Sequence, residues 1–250
     1  MRPEPLVELR EVRKSFAATD VLRGVSLALA KGTTLAVMGG SGAGKTVLLR
    51  IVDGLIRPDA GEVSLFGTRI ERMREEQMLP LRRRSGFVFQ GAALFDSLSV
   101  FENVAFPLRE HTAASLGEIT DRVHRFLSLV GLSGTDGLLP AELSGGMRKR
   151  VGIARALIME PEVVFFDEPT AGLDPTNARL VAGLIAELRN GICDTGIVVT
   201  HDVEFADMIA DQMAILHQGR FVDTGTPAEI RRSANPDVQK FLAGELRASS

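Results

Sequence analysis

A glycine-rich stretch, GGSGAGKT, carries the clearest chemistry in the sequence. It fits the pattern G-x-x-x-x-G-K-[ST], in which consecutive backbone N–H groups curl around phosphate oxygens. Lys45 is expected to reach the β- and γ-phosphates of a nucleotide, and the Thr46 hydroxyl to ligate Mg²⁺. A chance glycine-rich turn is the alternative, but a predicted strand precedes the stretch and a predicted helix follows it. The residues of this predicted nucleotide site are Gly39, Gly40, Ser41, Gly42, Ala43, Gly44, Lys45 and Thr46.

Two acidic residues follow the apolar run VVFF, which reads as a buried strand. Open α/β sheets bind ligands at the carboxyl ends of their strands, so both carboxylates are expected at a ligand site. Asp167 is expected to hold Mg²⁺, directly or through water, and Glu168 to polarise the water that attacks the γ-phosphate. A solvated turn is the structural alternative, and it would be preferred if the sequence held no phosphate-binding loop.

Three further residues are weaker candidates when each is taken alone. His201 follows the predicted strand GIVVT and could position the attacking water, although a lone histidine is often structural. Gln90 ends SGFVFQ, and its amide could contact the metal ion or the water and report that contact to the helical segment that follows. Phe16 could stack on a nucleotide base, although a phenylalanine near an amino-terminal strand is usually a core residue.

A second candidate phosphate site, Ser144, Gly145 and Gly146, lies just before a predicted helix and contains no acid, base or metal ligand. The first N–H groups of a helix and a serine hydroxyl suit a phosphate. Because GGSGAGKT already binds the chain's own nucleotide, we expect this second site to reach the γ-phosphate of another subunit's ATP. Two chains would then close head-to-tail over two ATP molecules, each supplying preorganised donors to the other.

The elements that must position these residues alternate between strands and helices, which predicts an α/β fold. TVLLRIVDGL places Leu48, Leu49, Val52 and Leu55 at helical spacing, and Asp174-Pro175 is typical of a helix start. The motifs S-x-x-E at Ser99 and Ser115 predict capping boxes. The predicted parts are an α/β core over 1–90 and 160–230, a helical segment over 91–159 and a helical tail over 231–250.

Composition limits the classes of function. The chain has 250 residues, 45% of them hydrophobic, and a formal net charge of −3, so it can bury a full core and lacks the basic excess of a nucleic-acid-binding protein. Its single cysteine, Cys193, excludes an internal disulfide framework. No apolar run approaches the roughly 18 residues that span a bilayer, and MRPEPLVELR lacks the apolar stretch of a signal peptide. We therefore expect any membrane role to depend on a partner.

Six motifs in this order, GGSGAGKT, FVFQ, LSGGM, VVFFDEP, AGLD and VVTHD, together resemble those of an ATP-binding-cassette (ABC) ATPase. The resemblance implies a P-loop NTPase core with a β-rich amino-terminal subdomain and an inserted α-helical subdomain. It also implies base stacking by Phe16, a Q-loop role for Gln90, a D-loop role for Asp174 and a switch role for His201, in a nucleotide-sandwich homodimer. One departure is Val47, where many members carry a second hydroxyl that bonds the α-phosphate; only the backbone of Val47 can then contribute to the nucleotide site.

Three stretches narrow the resemblance: LSGGMRKRVGIARAL, QGAALFDSLSVFENVAFPLREHT and GTPAEIRRSANPDVQKFLAGEL. Together they are similar to the Mla/Mce-type lipid-transport ATPases. That similarity implies a peripheral subunit on the cytoplasmic face of a bacterial inner membrane, bound to a permease dimer and an MCE-domain lipid-binding protein, with a small STAS-domain regulator as an optional subunit. The implied substrate is phospholipid or another lipid, and the implied cofactors are ATP and Mg²⁺.

Two other classes of function stay open at this point. An importer ATPase for a polar solute such as an amino acid would have identical nucleotide chemistry. A non-transport ATPase acting on DNA or ribosomes is disfavoured, because such chains tend to carry a coiled-coil insertion or two cassettes. The segment Gly91 to Pro107 is expected to contribute to a groove for a helix of the permease.

Overall fold

The computed structural model describes residues 4–244 of the chain. Two compact units are present: Met1–Arg82 with Asp194–Ser250 form one, and Arg83–Cys193 form the other. Strands and helices alternate along the described residues, which confirms the α/β class. The last part of the predicted carboxyl-terminal tail, residues 245–250, lies outside the described residues.

The elements are numbered in chain order. The first unit begins with β1 (Val7–Phe16), β2 (Thr19–Leu29), β3 (Thr34–Met38), α1 (Lys45–Val52), β4 (Ala60–Leu65), β5 (Thr68–Arg69) and α2 (Glu75–Arg82). The second unit contains β6 (Ser85–Val88), α3 (Val100–His111), α4 (Leu116–Leu129), a 3-10 turn (Pro140–Glu142), α5 (Gly145–Leu157), β7 (Val163–Asp167) and α6 (Pro175–Gly191). The first unit ends with β8 (Gly196–Thr200), α7 (Val203–Ile209), β9 (Gln212–His217), β10 (Arg220–Gly225), α8 (Pro227–Arg231) and α9 (Pro236–Leu242).

The first unit contains two groups of paired strands. An antiparallel sheet in the order β2-β1-β4-β5 forms the β-rich amino-terminal part that the family resemblance implies. The other group has the order β10-β9-β3-β8, in which β3 runs parallel to both β8 and β9. Every residue of β3 and β8 is buried, as is typical of parallel strands that are covered on both faces.

The carboxyl-terminal helices of the first unit support the strand that leads into the glycine-rich stretch. Val238 and Phe241 of α9 belong to one buried cluster with Ala36 and Met38 of β3. Ile215 of β9 belongs to the same cluster. Burial of these side chains is driven by the hydrophobic effect. Helix α9 therefore stabilises the end of β3 as well as its own packing against β3 and β9.

The second unit is largely helical between its two strands, β6 and β7, which run parallel. Both predicted capping boxes are confirmed: Ser99 and Glu102 begin α3, and Ser115 and Glu118 begin α4. In each box the serine hydroxyl accepts from the glutamate N–H, and the glutamate carboxylate accepts from the serine N–H. Two N–H groups that a helix start leaves without partners are thereby satisfied at each start.

One sequence expectation about the first unit is wrong. Leu55 was expected on the buried face of α1, but the helix ends at Val52 and the Leu55 side chain is 44% exposed. The cause is Gly54, whose φ of 69° is left-handed and turns the chain out of the helix. The Leu55 N–H closes this turn by donating to the carbonyl of Arg50 at 2.8 Å.

Candidate functional site

The glycine-rich loop joins the buried strand β3 to helix α1 and is held in shape by its own lysine. The Lys45 ammonium donates to the carbonyls of Gly39 at 2.8 Å and Gly40 at 3.1 Å, and the side chain is only 7% exposed. Gly44 precedes the helix with a φ of 101°, a conformation that glycine adopts readily. The main chain of the loop is therefore held in one shape at a helix amino terminus, which carries partial positive charge.

Gly39 is required for a reason that the sequence could not reveal. A Cβ atom at this position would lie 2.3 Å from the carbonyl oxygen of Leu216 on β9. Ser41 and Gly42, at the other side of the loop, are exposed, and a Cβ on Gly42 would meet no heavy atom within 4 Å. The loop is thus packed tightly against the sheet on one side and open on the other.

Strand register brings His201 to the same sheet edge as this loop. Met38 of β3 pairs with Thr200 of β8, so Gly39 and His201 are the next residues along two neighbouring parallel strands. His201 is exposed, and the turn after it is fixed because the Asp202 N–H donates to the Thr200 hydroxyl at 3.0 Å. Asp202 then caps α7. The first unit thus carries the predicted phosphate-binding loop and the predicted switch histidine at one edge.

Strand register also brings Gln90 and the acidic pair, Asp167 and Glu168, to one sheet edge in the second unit. Val88 of β6 pairs with Phe166 of β7, so Gln90 and Glu168 each lie two residues beyond a paired position. Gln90 is exposed, whereas Asp167 and Glu168 are buried. Glu168 has a φ of 47°, in the left-handed region that side chains rarely adopt, and such strained backbone clusters at functional sites.

Lys149 of α5 contacts this edge and was missed by the sequence reasoning. Its ammonium donates to the carbonyl of Gln90 and, at 3.2 Å, to the carbonyl of Glu168. Burial lowers the pKa of Lys149, while the charges of Glu168 and Asp167 act in the opposite direction. A sequence signal existed, since Lys149 lies three residues after Gly146 and four before Ile153 on the buried face of the helix.

The predicted second phosphate site is the start of α5. Ser144 is exposed and caps the helix, with its hydroxyl oxygen accepting from the Met147 N–H at 3.2 Å. Because its oxygen already accepts this hydrogen bond, the Ser144 hydroxyl would contact an anion by donating its own hydrogen. A Cβ on Gly146 would lie 2.7 Å from Oδ1 of Asn177, so a larger residue would displace the Asn177 amide where α5 approaches α6.

Asn177 lies close to this helix start and is hydrogen-bonded to Asp174, another residue of the expected site. Asn177 donates its side-chain amide to the Asp174 carboxylate at 2.6 Å. Asp174 caps α6, as the sequence predicts, by accepting the N–H groups of Thr176 and Asn177. These hydrogen bonds, the one from the Asn177 side chain foremost, lower the pKa of Asp174. The role of Asn177 was not foreseen.

Phe16 is not a core residue. Its ring, at the end of β1, is 46% exposed, and the Lys14 ammonium lies 5.2 Å from the ring centroid. Because the ring is accessible, base stacking stays the prediction for Phe16. Val47, which replaces the second hydroxyl, is partly buried in the first turn of α1.

The predicted magnesium donors, Thr46, Gln90 and Asp167, offer oxygen atoms, which a hard cation prefers. Within residues 4–244 no group of three or more histidine, cysteine or acidic side chains could by itself hold a metal ion. In the same described part of the chain, no helix is both long and apolar enough to cross a membrane.

Comparison with known proteins identifies relatives along most of the chain. Residues 22–171 match the family described as ABC transporter. The chain is 42% identical to Protein TRIGALACTOSYLDIACYLGLYCEROL 3, chloroplastic, of Arabidopsis thaliana, over 96% of this chain and 74% of the plant protein. It is 39% identical to the intermembrane phospholipid transport system ATP-binding protein MlaF of Escherichia coli, over 96% of this chain and 89% of MlaF.

A solved structure shows the same fold. The dimeric post-hydrolysis state of the ATP-binding cassette MJ0796, bound to ADP and Pi, has a TM-score of 0.81 and 30% identity, covering 88% of this chain and 98% of that one. The chain therefore belongs to the ABC transporter family, and it is an ATPase that binds and hydrolyses ATP.

The packing of Gly39 generates a prediction. Gly39→Ala places a methyl group against the Leu216 carbonyl, and overpacking of this kind costs about 1–3 kcal/mol. We expect a lower melting temperature and at least about tenfold weaker ATP binding by calorimetry, because the cradle must move. Gly117→Ala in α4, where a Cβ meets no heavy atom within 4 Å, is the control and should leave both quantities near those of the wild type. If Gly39→Ala bound ATP as tightly as Gly117→Ala, close packing at Gly39 would not shape the loop.

Proposed function

We propose that this chain is the ATP-hydrolysing subunit of a transporter that moves phospholipid or a related lipid between membranes. The observation that carries the proposal is its likeness to MlaF, a phospholipid transport ATP-binding protein, along nearly the whole length of both chains.

The proposed chemistry assigns one task to each residue of the site. Lys45 and the loop around it bind the β- and γ-phosphates, and Phe16 stacks on the base. Thr46, Gln90 and Asp167 would hold Mg²⁺, which supplies charge neutralisation at the phosphates. Glu168 polarises the attacking water.

His201 orients that water and senses the γ-phosphate. Its position fits the task, because it leaves β8 beside the strand that leads into the phosphate-binding loop. The exposed imidazole is accessible to a ligand at this edge of the sheet.

The proposed active form is a homodimer. Ser144, Gly145 and Gly146 begin a helix of 13 residues, and Ser144 is exposed. The helix start has donors suited to phosphate, yet the chain already holds a phosphate-binding loop. In the proposal each Ser144 therefore reaches ATP bound by the other subunit, and hydrolysis reopens the pair. Asp174, the expected D-loop residue, is hydrogen-bonded to Asn177, which lies close to Gly146 at the start of α5.

Glu168→Gln tests the assignment of the base. The amide cannot accept the water proton, and loss of a general base lowers turnover by about 10²–10⁴-fold. We expect ATP to bind normally and to trap a stable dimer, measured by light scattering with a parallel phosphate-release assay. Glu162→Gln, the same change at the other end of β7, is the control and should hydrolyse ATP normally. Unchanged turnover in Glu168→Gln would remove Glu168 from its role.

The proposed permease contact is an exposed aromatic pair. The Phe95 and Phe106 rings lie 4.8 Å apart and are 43% and 36% exposed. The segment that presents them is held firmly: Asn103 accepts from the Phe95 N–H at 2.8 Å and donates to three nearby carbonyls. Arg155 of α5 donates to the carbonyls of Ala92 and Ala93, each at 2.8 Å. A rigid, exposed aromatic patch is typical of a docking surface.

A charge at Phe95 should therefore affect docking more than folding. Leu129, at the end of α4, is also 43% exposed, so Leu129→Glu is a matched control for Phe95→Glu. We expect both variants to retain similar melting temperatures, while only Phe95→Glu loses most of the permease that co-purifies from membranes. Equal retention of the permease by the two variants would contradict the proposed surface.

The partners and the substrate are tested by purification from the native membrane. We propose that the chain is held through permease subunits at the cytoplasmic face of the inner membrane, with an MCE-domain protein and, in some assemblies, a STAS-domain regulator. A tagged chain purified from detergent-solubilised membranes should bring down these proteins with enriched phospholipid, identified by mass spectrometry. A solute-binding protein without enriched lipid would instead assign the chain to an importer of polar solutes.

A further inference from the structure

The ammonium of Lys149 is buried against main-chain carbonyls. The side chain is 6% exposed, and its described hydrogen bonds go to the carbonyls of Gln90 and Glu168. Burying a cation is costly unless it is well hydrogen-bonded, so a lysine placed here must satisfy its donors on the main chain. Asp167 and Glu168 add a favourable electrostatic contribution.

The two carbonyls belong to the residues that leave β6 and β7. Gln90 and Lys149 are 59 positions apart in sequence, and Lys149 and Glu168 are 19 apart. The Glu168 carbonyl also accepts from the Ala171 N–H at 3.2 Å, which defines the turn after the strand. Because Glu168 has a left-handed backbone, neighbouring contacts must hold it in that conformation.

We propose that Lys149 is a positioning residue that holds the main chains of Gln90 and Glu168 in one arrangement, which sets where the Glu168 carboxylate lies for hydrolysis. The proposal rests on the proposed function of Glu168 as the base. Lys149 lies in α5, five residues after Ser144, which caps the start of that helix. Through Lys149, a shift of α5 on binding phosphate at its start would be transmitted to Glu168 and to the segment that leads to Phe95.

The chain offers a matched control in the next residue. Arg150 is also a cation of α5 that donates to two carbonyls, those of Val130 at 2.8 Å and Gly131 at 3.0 Å. Burial lowers the pKa of Arg150, as it does for Lys149. Arg150→Met therefore removes a similar contact from the same helix, but at the end of α4 rather than beside Glu168.

The experiment compares Lys149→Met, Arg150→Met, Glu168→Gln and the double variant Lys149→Met/Glu168→Gln in the full chain. We expect Lys149→Met to lower kcat about tenfold or more, with KM for ATP within about twofold of wild type. Arg150→Met should lower the melting temperature with kcat within about twofold. The double variant should hydrolyse ATP no more slowly than Glu168→Gln in a single-turnover assay, because both changes act on one group.

Lys149→Arg should recover part of the lost kcat, since a guanidinium can also donate to both carbonyls. If Lys149→Met does not fold, Lys149→Gln removes the charge with a smaller change of shape and is expected to show the same split between kcat and KM. The proposal is overturned if Lys149→Met keeps wild-type kcat, if it behaves like Arg150→Met, or if its effect multiplies that of Glu168→Gln. Wild-type turnover in Glu168→Gln alone would instead overturn the proposed base.

Discussion

In each unit, a buried lysine ammonium donates hydrogen bonds to main-chain carbonyls just beyond the ends of the parallel strands. The rest of the candidate site depends on these hydrogen bonds. Lys45 binds the carbonyls of Gly39 and Gly40 after β3, and Lys149 binds those of Gln90 and Glu168 beyond β6 and β7. Within each unit, parallel strands bring residues of the candidate site to one edge, and the lysine holds the main chain that follows the strands. An ammonium on a long side chain can reach several carbonyls at once, because it carries three donors.

Helix α5 links the Lys149 hydrogen bonds to two other proposed sites of the second unit. Ser144 begins the helix, Lys149 holds the edge with the acidic pair, and Arg155 holds the segment that presents Phe95. A helix of 13 residues is stiff enough to move as one body. Helix α5 and its cap therefore connect three proposed features within one unit. These are the phosphate contact, the catalytic carboxylate and the permease surface.

The sequence was informative wherever a feature is determined locally. The phosphate-binding loop, the two capping boxes and Asp174 at a helix start each depend on residues within a few positions of one another, so their patterns predict them. Leu55 was misplaced because helical periodicity continues through Gly54, and periodicity carries no information about a left-handed φ. Lys149 was missed because its hydrogen bonds go to carbonyls that are distant in sequence, and Asn177 because it comes close to Gly146 only in the folded chain. The close approach of Leu216 to Gly39 is a tertiary contact of the same kind.

In the proposed active form, two copies of the chain complete each other's ATP site. An experimental structure of Glu168→Gln with ATP and Mg²⁺ would test this directly. We expect a dimer in which the Ser144 hydroxyl of the partner subunit lies within hydrogen-bond distance of the γ-phosphate held by Lys45. ATP bound at Lys45 with no Ser144 from another copy near its γ-phosphate would contradict it.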